Sequence, residues 1–167
     1  MEASTENSFV IARTFNAPPA RVFAMWTQSD ELARWLAPPG FSMQFVRADI
    51  RPGGSTLFTM TGYGMTMTAR ADYEAIDGPE RIVYTQQFCD EQEHVTRHPM
   101  APTWPETVRI TVALREDGPG RTHVTATTAI AGAATDAETA TFVAGHSGMT
   151  MGWTNAFDQL AAALAKP

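Results

Sequence analysis

The chain has 167 residues, 44% of them hydrophobic and 18% charged, and a formal net charge of −6 at pH 7. A chain of this size suits one domain that buries about 70% of its unfolded surface, and the composition is that of a globular rather than a disordered protein. The acidic balance argues against sequence-independent nucleic-acid binding, which needs a basic surface. Cys89 is the single cysteine, so no internal disulfide can form. Residues 1–8 are polar and acidic, without the basic and apolar regions of a signal peptide. No apolar run approaches the ~18–20 residues of a membrane span. The expectation is a cytoplasmic protein with no membrane partner, residues 1–8 being a disordered tail and residues 9–167 one domain, monomeric or homodimeric.

Residues 9–15 are rich in β-branched and aromatic side chains and read as a strand. Asn16 is placed to cap a helix after Pro18 and Pro19, with Val22, Phe23 and Trp26 on one side. Ser29 or Asp30 would cap a second short helix bearing Leu32, Trp35 and Leu36, which Pro38, Pro39 and Gly40 end. From there the period becomes two, with strands expected at 43–50, 55–61, 65–76 and 81–88. Arg51-Pro52-Gly53-Gly54 suits a type II turn, proline presetting the second position and glycine supplying positive φ at the third. Residues 89–105 carry three prolines and little periodicity. Two further strands follow at 106–115 and 121–130; in the first, Val108, Ile110, Val112 and Leu114 alternate with polar or small residues. The last segment is helical: Asp136 is placed to cap it, Gly145 and Gly148 weaken its middle, and Trp153, Phe157, Leu160 and Leu164 form one apolar stripe. The fold class is therefore α+β. A six- or seven-strand antiparallel sheet curls under its own twist around a long C-terminal helix, and where helix and sheet diverge they leave a cavity.

This order, with its local motifs, resembles the START-like or Bet v 1-like helix-grip superfamily, and most closely the bacterial branch similar to the C-terminal domain of the activator of Hsp90 ATPase. The matching pieces are Arg13-Thr14-Phe15-Asn16-Ala17-Pro18, Val22-Phe23, Trp26-Thr27, Leu32-Ala33-Arg34-Trp35 with Pro38, Asp49-Ile50-Arg51-Pro52-Gly53-Gly54, and Gly148-Met149 through Gly152-Trp153 with Leu160. The resemblance implies a hydrophobic pocket between the sheet and the last helix, with no catalytic residue shared across the superfamily.

Read for chemistry, the residues favour binding. His94 and His98 lie four apart in a proline-rich segment with no third ligand, so no metal site is expected. Cys89 and Ser147 lack the partners of a nucleophile, and Gly62-Tyr63-Gly64 joins two strands without a following lysine, so neither a catalytic group nor a cofactor is assigned. Tyr84 and Gln86 share the parity of Ile82 and Phe88, and Tyr73 that of Met65 and Met67, which makes all five candidates for a cavity wall. His146, Met149 and Trp153 on the last helix complete the candidate ligand-binding set, with Trp104 in a lid formed by residues 89–105. The leading expectation is non-catalytic binding of a small apolar or amphipathic ligand. The alternatives are an enzyme of the cyclase or hydrolase kind using polar cavity residues, and a protein-interaction module similar to the Hsp90 co-chaperone domain.

Overall fold

The computed structural model describes residues 7–166, so most of the expected tail lies outside the described residues; Asn7 and Ser8, at its end, are half-buried. In chain order the elements are β1 (Phe9–Phe15), α1 (Pro19–Thr27), α2 (Ser29–Trp35), β2 (Ser42–Ala48), β3 (Ser55–Gly62), β4 (Met65–Asp77), β5 (Arg81–Phe88), β6 (Val108–Glu116), β7 (Thr122–Ile130), α3 (Asp136–Ala144) and α4 (His146–Leu164). The strands form one antiparallel sheet in the order β1-β7-β6-β5-β4-β3-β2. The hairpins from β2 to β5 therefore lie side by side, and β1 closes against β7 through seven paired positions from Phe9–Thr128 to Phe15–Thr122.

Period-two sequence decides which face is buried. On β7, Thr122, Val124, Ala126 and Thr128 are buried, while His123, Thr125 and Thr127 lie on the other face. Val108, Ile110, Val112 and Leu114 do the same on β6. Two register shifts, between Phe45 and Arg47 on β2 and between Tyr73 and Ala75 on β4, insert an extra residue and increase local twist, which bends the sheet around the helices. The β3–β4 hairpin closes on Tyr63 and Gly64, both at positive φ (51° and 75°), as a type I′ turn requires. At the β2–β3 turn Gly53 has φ +82°, and Gly54 N–H donates to Arg51 O at 2.8 Å, as the proline-glycine pattern predicts.

The helix caps differ from the sequence expectation. Asn16 lies before the cap of α1; Pro18 holds that position with extended φ and ψ and no side-chain hydrogen bond, since proline at the first helical position already fixes the entry. Gln28 rather than Ser29 or Asp30 caps α2. Thr135, one residue before Asp136, caps α3 through a reciprocal capping box with Glu138. The C-terminal helix is divided: Gly145 ends α3 and precedes α4, so the glycine that weakens the pattern is the break itself.

Three tethers set α4 above the sheet. Gln159 Nε2 donates to Trp35 O and Ala37 O at 2.8 and 2.7 Å, using carbonyls that the end of α2 leaves unpaired. Arg13 pairs with Asp158 at 2.8 Å. Phe157, fully buried, packs edge-on against Phe15 with ring centroids 5.4 Å apart. Trp35 in turn donates its indole N–H to Met25 O at 2.9 Å, which locks α2 onto α1.

Candidate functional site

Phe157, Leu160 and Ala163 press the C-terminal half of α4 onto the core, whereas its N-terminal half carries no fully buried residue, and Met149, Gly152 and Trp153 there border open space. The space between is an apolar-walled cleft of about 280 Å³. Met149, Gly152, Trp153 and Ala156 line it from α4, and Leu36 and Pro38 from the end of α2. The sheet contributes Phe58 and Met60 from β3, Tyr84 and Gln86 from β5, Ile110 from β6 and Thr128 from β7. A narrow arm of about 10 Å³ adjoins it, since Leu36, Phe58, Tyr84 and Gln86 line both; Trp26, Thr56 and Tyr73 are among its further walls.

The polar atoms in these walls are few. Thr128 is 4% exposed, and its Oγ1 is buried with no hydrogen-bond partner; Trp26 is 2% exposed and its Nε1 is in the same condition. Buried polar groups are ordinarily paired, so each leaves a hydrogen bond to be made. Tyr73 and Tyr84 stack with centroids 5.6 Å apart. Burial pushes the Tyr73 phenol up to about 12, with the neighbouring Thr56 hydroxyl offsetting part of the effect. Burial and the adjacent Tyr73 raise the Tyr84 phenol as well. Both phenols are neutral at physiological pH, and among the described residues no carboxylate, imidazole, ammonium or guanidinium lines the cleft or its arm.

Of the residues singled out in the sequence, the structure brings together Tyr84, Gln86, Met149 and Trp153 in the cleft and Tyr73 in its arm. Met65 and Met67 lie outside both linings. Their parity matches Tyr73, but they sit beside the hairpin tip, Met67 opposite Met60 and Met65 opposite Gly62, and it is Met60 that reaches the cleft. His146 is in the first turn of α4, its ring between Phe9 and Phe142 at centroid distances of 5.6 and 5.2 Å, with Nε2 buried and unpartnered. Trp104 packs at a tilt against Phe142 at 5.5 Å and lines a second surface cleft of about 230 Å³ with Phe88, His98 and Gln86, the last of which also lines the main cleft. The segment carrying Trp104 is held to α3 by Arg97–Glu138 at 2.7 Å and by Thr103–Thr141 at 2.6 Å, and contributes no residue to the main cleft. Trp26 and Thr128 were not among the sequence candidates. The signal for Thr128 was its parity with Val124 and Ala126, which puts a hydroxyl on a buried face.

The remaining candidate groups are accounted for by packing. His98 packs edge-on against Phe88 at 5.0 Å and accepts Met100 N–H at Nδ1, and burial holds its imidazole below the usual range. Burial likewise pushes the Cys89 thiol up. Among the described residues no three His, Cys, Asp or Glu side chains are grouped to hold a metal ion, and no helix is long and apolar enough to cross a membrane.

A seven-strand antiparallel sheet curved around a C-terminal helix, with two short helices after the first strand, defines an α+β protein of the START-like, SRPBCC type. Residues 16–165 match the model of the activator of Hsp90 ATPase homolog 1-like family, and the chain belongs to that family. It is similar to a solved protein of Arthrobacter aurescens, with 26% identity, a TM-score of 0.80, and coverage of 99% of this chain and 91% of that one. Protein Ms6760 of Mycobacterium smegmatis (21% identity, TM-score 0.78, 100% and 98% covered) and protein CV1439 of Chromobacterium violaceum (24%, 0.73, 96% and 98%) share the fold. No functionally curated protein matches the sequence.

Proposed function

We propose that this protein binds a small apolar or amphipathic ligand, non-catalytically, in the cleft between the sheet and α4. The observation that carries the reading is a space of about 280 Å³ walled by Phe58, Met60, Ile110, Met149 and Trp153. Protein interiors are close-packed, and voids larger than a water are few, so an apolar opening of this size within the core layer is the default place for a ligand. Membership of a family whose fold commonly encloses hydrophobic ligands supports the same reading. The non-catalytic part is supported by the wall chemistry: among the described residues its ionisable groups are two phenols held protonated, and an acid–base role at neutral pH needs a group that titrates there.

Titration with the uncharged fluorescent dye N-phenylnaphthylamine tests this. Saturable binding at one dye per chain, competed by a non-fluorescent naphthalene, is the expected result. Non-saturating enhancement without competition would count against the cleft as a binding site.

A further inference from the structure

We infer that the ligand of this cleft is an uncharged, oxygen-bearing molecule of about two-ring size whose oxygen acceptor is received by the indole N–H of Trp26 at the narrow arm. The inference rests on the ligand-binding reading above and narrows it to a chemical class.

Size comes first. The cleft of about 280 Å³ is just under the range of drug-sized pockets. That volume suits a ligand of two fused rings. Charge follows from the walls, which carry no ionised side chain among the described residues. An ionised ligand would give up its hydration and meet no counter-charge, a cost far larger than a neutral group incurs.

The polar atoms then specify the rest. Trp26 Nε1 is a donor only, is buried and has no partner, so what satisfies it must accept. The arm that Trp26 lines has about 10 Å³ of space, enough for roughly one water-sized atom, and a carbonyl or ether oxygen fits that measure. The arm shares Phe58, Tyr84 and Gln86 with the main cleft, so an oxygen placed there is continuous with a ring system lying against Met149 and Trp153. Thr128 Oγ1, also unpartnered, offers a second hydrogen bond from β7, two strands along the sheet from Tyr84 and Gln86 on β5.

The test uses three probes with one skeleton, substituted at the same ring position: acetylnaphthalene, ethylnaphthalene and naphthoate. Affinities are measured by calorimetry at neutral pH, and the Trp26 indole N–H is followed in a proton–nitrogen spectrum assigned by triple-resonance methods. Acetylnaphthalene is expected to bind about tenfold more tightly than ethylnaphthalene, the increment of one buried hydrogen bond, and to bind more tightly still relative to naphthoate. The Trp26 indole peak should move downfield with the ketone alone. Trp26→Phe should abolish the ketone's advantage while keeping the hydrocarbon's affinity; should that variant not fold, the indole shift of the unaltered protein decides. Equal binding of hydrocarbon and ketone, tighter binding of naphthoate, or an unmoved indole peak would each overturn the inference and leave the cleft a ligand site. Failure of all three probes to bind would overturn both it and the reading it rests on.

Discussion

Filling the cleft from its own helix should stabilise the protein and abolish binding together. Gly152 lines the cleft from the interior of α4, and a Cβ built there meets no heavy atom within 4 Å. Gly152→Leu replaces a poor helix former by a good one, a gain of about 0.8 kcal/mol. The new side chain also covers apolar wall against Met149 and Trp153. At the partly open mouth this is worth about 1 kcal/mol, roughly half of full burial, less about 0.5 kcal/mol of lost rotamer freedom. The net gain of about 1 kcal/mol raises Tm by about 2–4 °C for a chain of this length. The same four carbons occupy ligand space, so the affinity for N-phenylnaphthylamine should fall at least tenfold. Calorimetric melting and dye titration on the same samples read both effects. A lower Tm would mean that the helix and sheet are already in close contact at Gly152. An unchanged dye affinity would mean that the dye binds elsewhere. Either result refutes the reasoning.

Other outcomes follow from the same structure. Phe157→Ala removes a fully buried ring packed edge-on against Phe15 and should cost about 3–5 kcal/mol in urea unfolding, because the wall it leaves cannot collapse. Thr135→Ala removes the hydroxyl of the α3 capping box and should cost about 1 kcal/mol by the same assay. The backbone N–H of Thr135 and the Arg97 guanidinium hold the Glu138 carboxyl down to about 2, against an ordinary 4.5. Its folded value is the lower one, so its stabilisation is complete above about 4.5 and is lost as pH falls toward 2. Glu138→Gln should therefore flatten the acid limb of a Tm-against-pH profile in that window and lower Tm at neutral pH. Tyr73, pushed up to about 12, and Tyr84, raised further, should remain protonated at a pH one unit lower. Ultraviolet titration of Tyr73→Phe and Tyr84→Phe up to that pH should match the parent, and a lost phenolate in either variant would show that the ring is not buried.

Much of the fold was legible because period and turn chemistry are local. The alternation of Val108, Ile110, Val112 and Leu114, and the stripe of Trp153, Phe157 and Leu160, each state a buried face without reference to the rest of the chain. The caps were less legible. Thr135 and Glu138 carry the spacing of a capping box, but Asp136 beside them is an equally good capping residue, and only the hydrogen bonds decide. For the site, parity put Tyr84 and Gln86 on the strand face that lines the cleft, yet parity says nothing about position along a strand. Met65 and Met67 share a face with Tyr73 and still sit near the hairpin tip, beyond the cleft, whereas Met60 across from Met67 reaches it. Leu36 and Pro38 looked like the end of a helix and became a wall only when Gln159 tied that end to α4. Trp26 read as a core residue because its ring is one; its orphaned N–H depends on what surrounds it in three dimensions.

The central claim is that the cleft exists to hold a small neutral molecule. Native mass spectrometry of freshly purified protein, followed by denaturing extraction and identification of released compounds, tests it most directly. One uncharged, oxygen-bearing adduct per chain, released on denaturation and displaced by acetylnaphthalene, is the expected result. A bare chain that also shows no thermal stabilisation across a library of lipids and polyketides would contradict it.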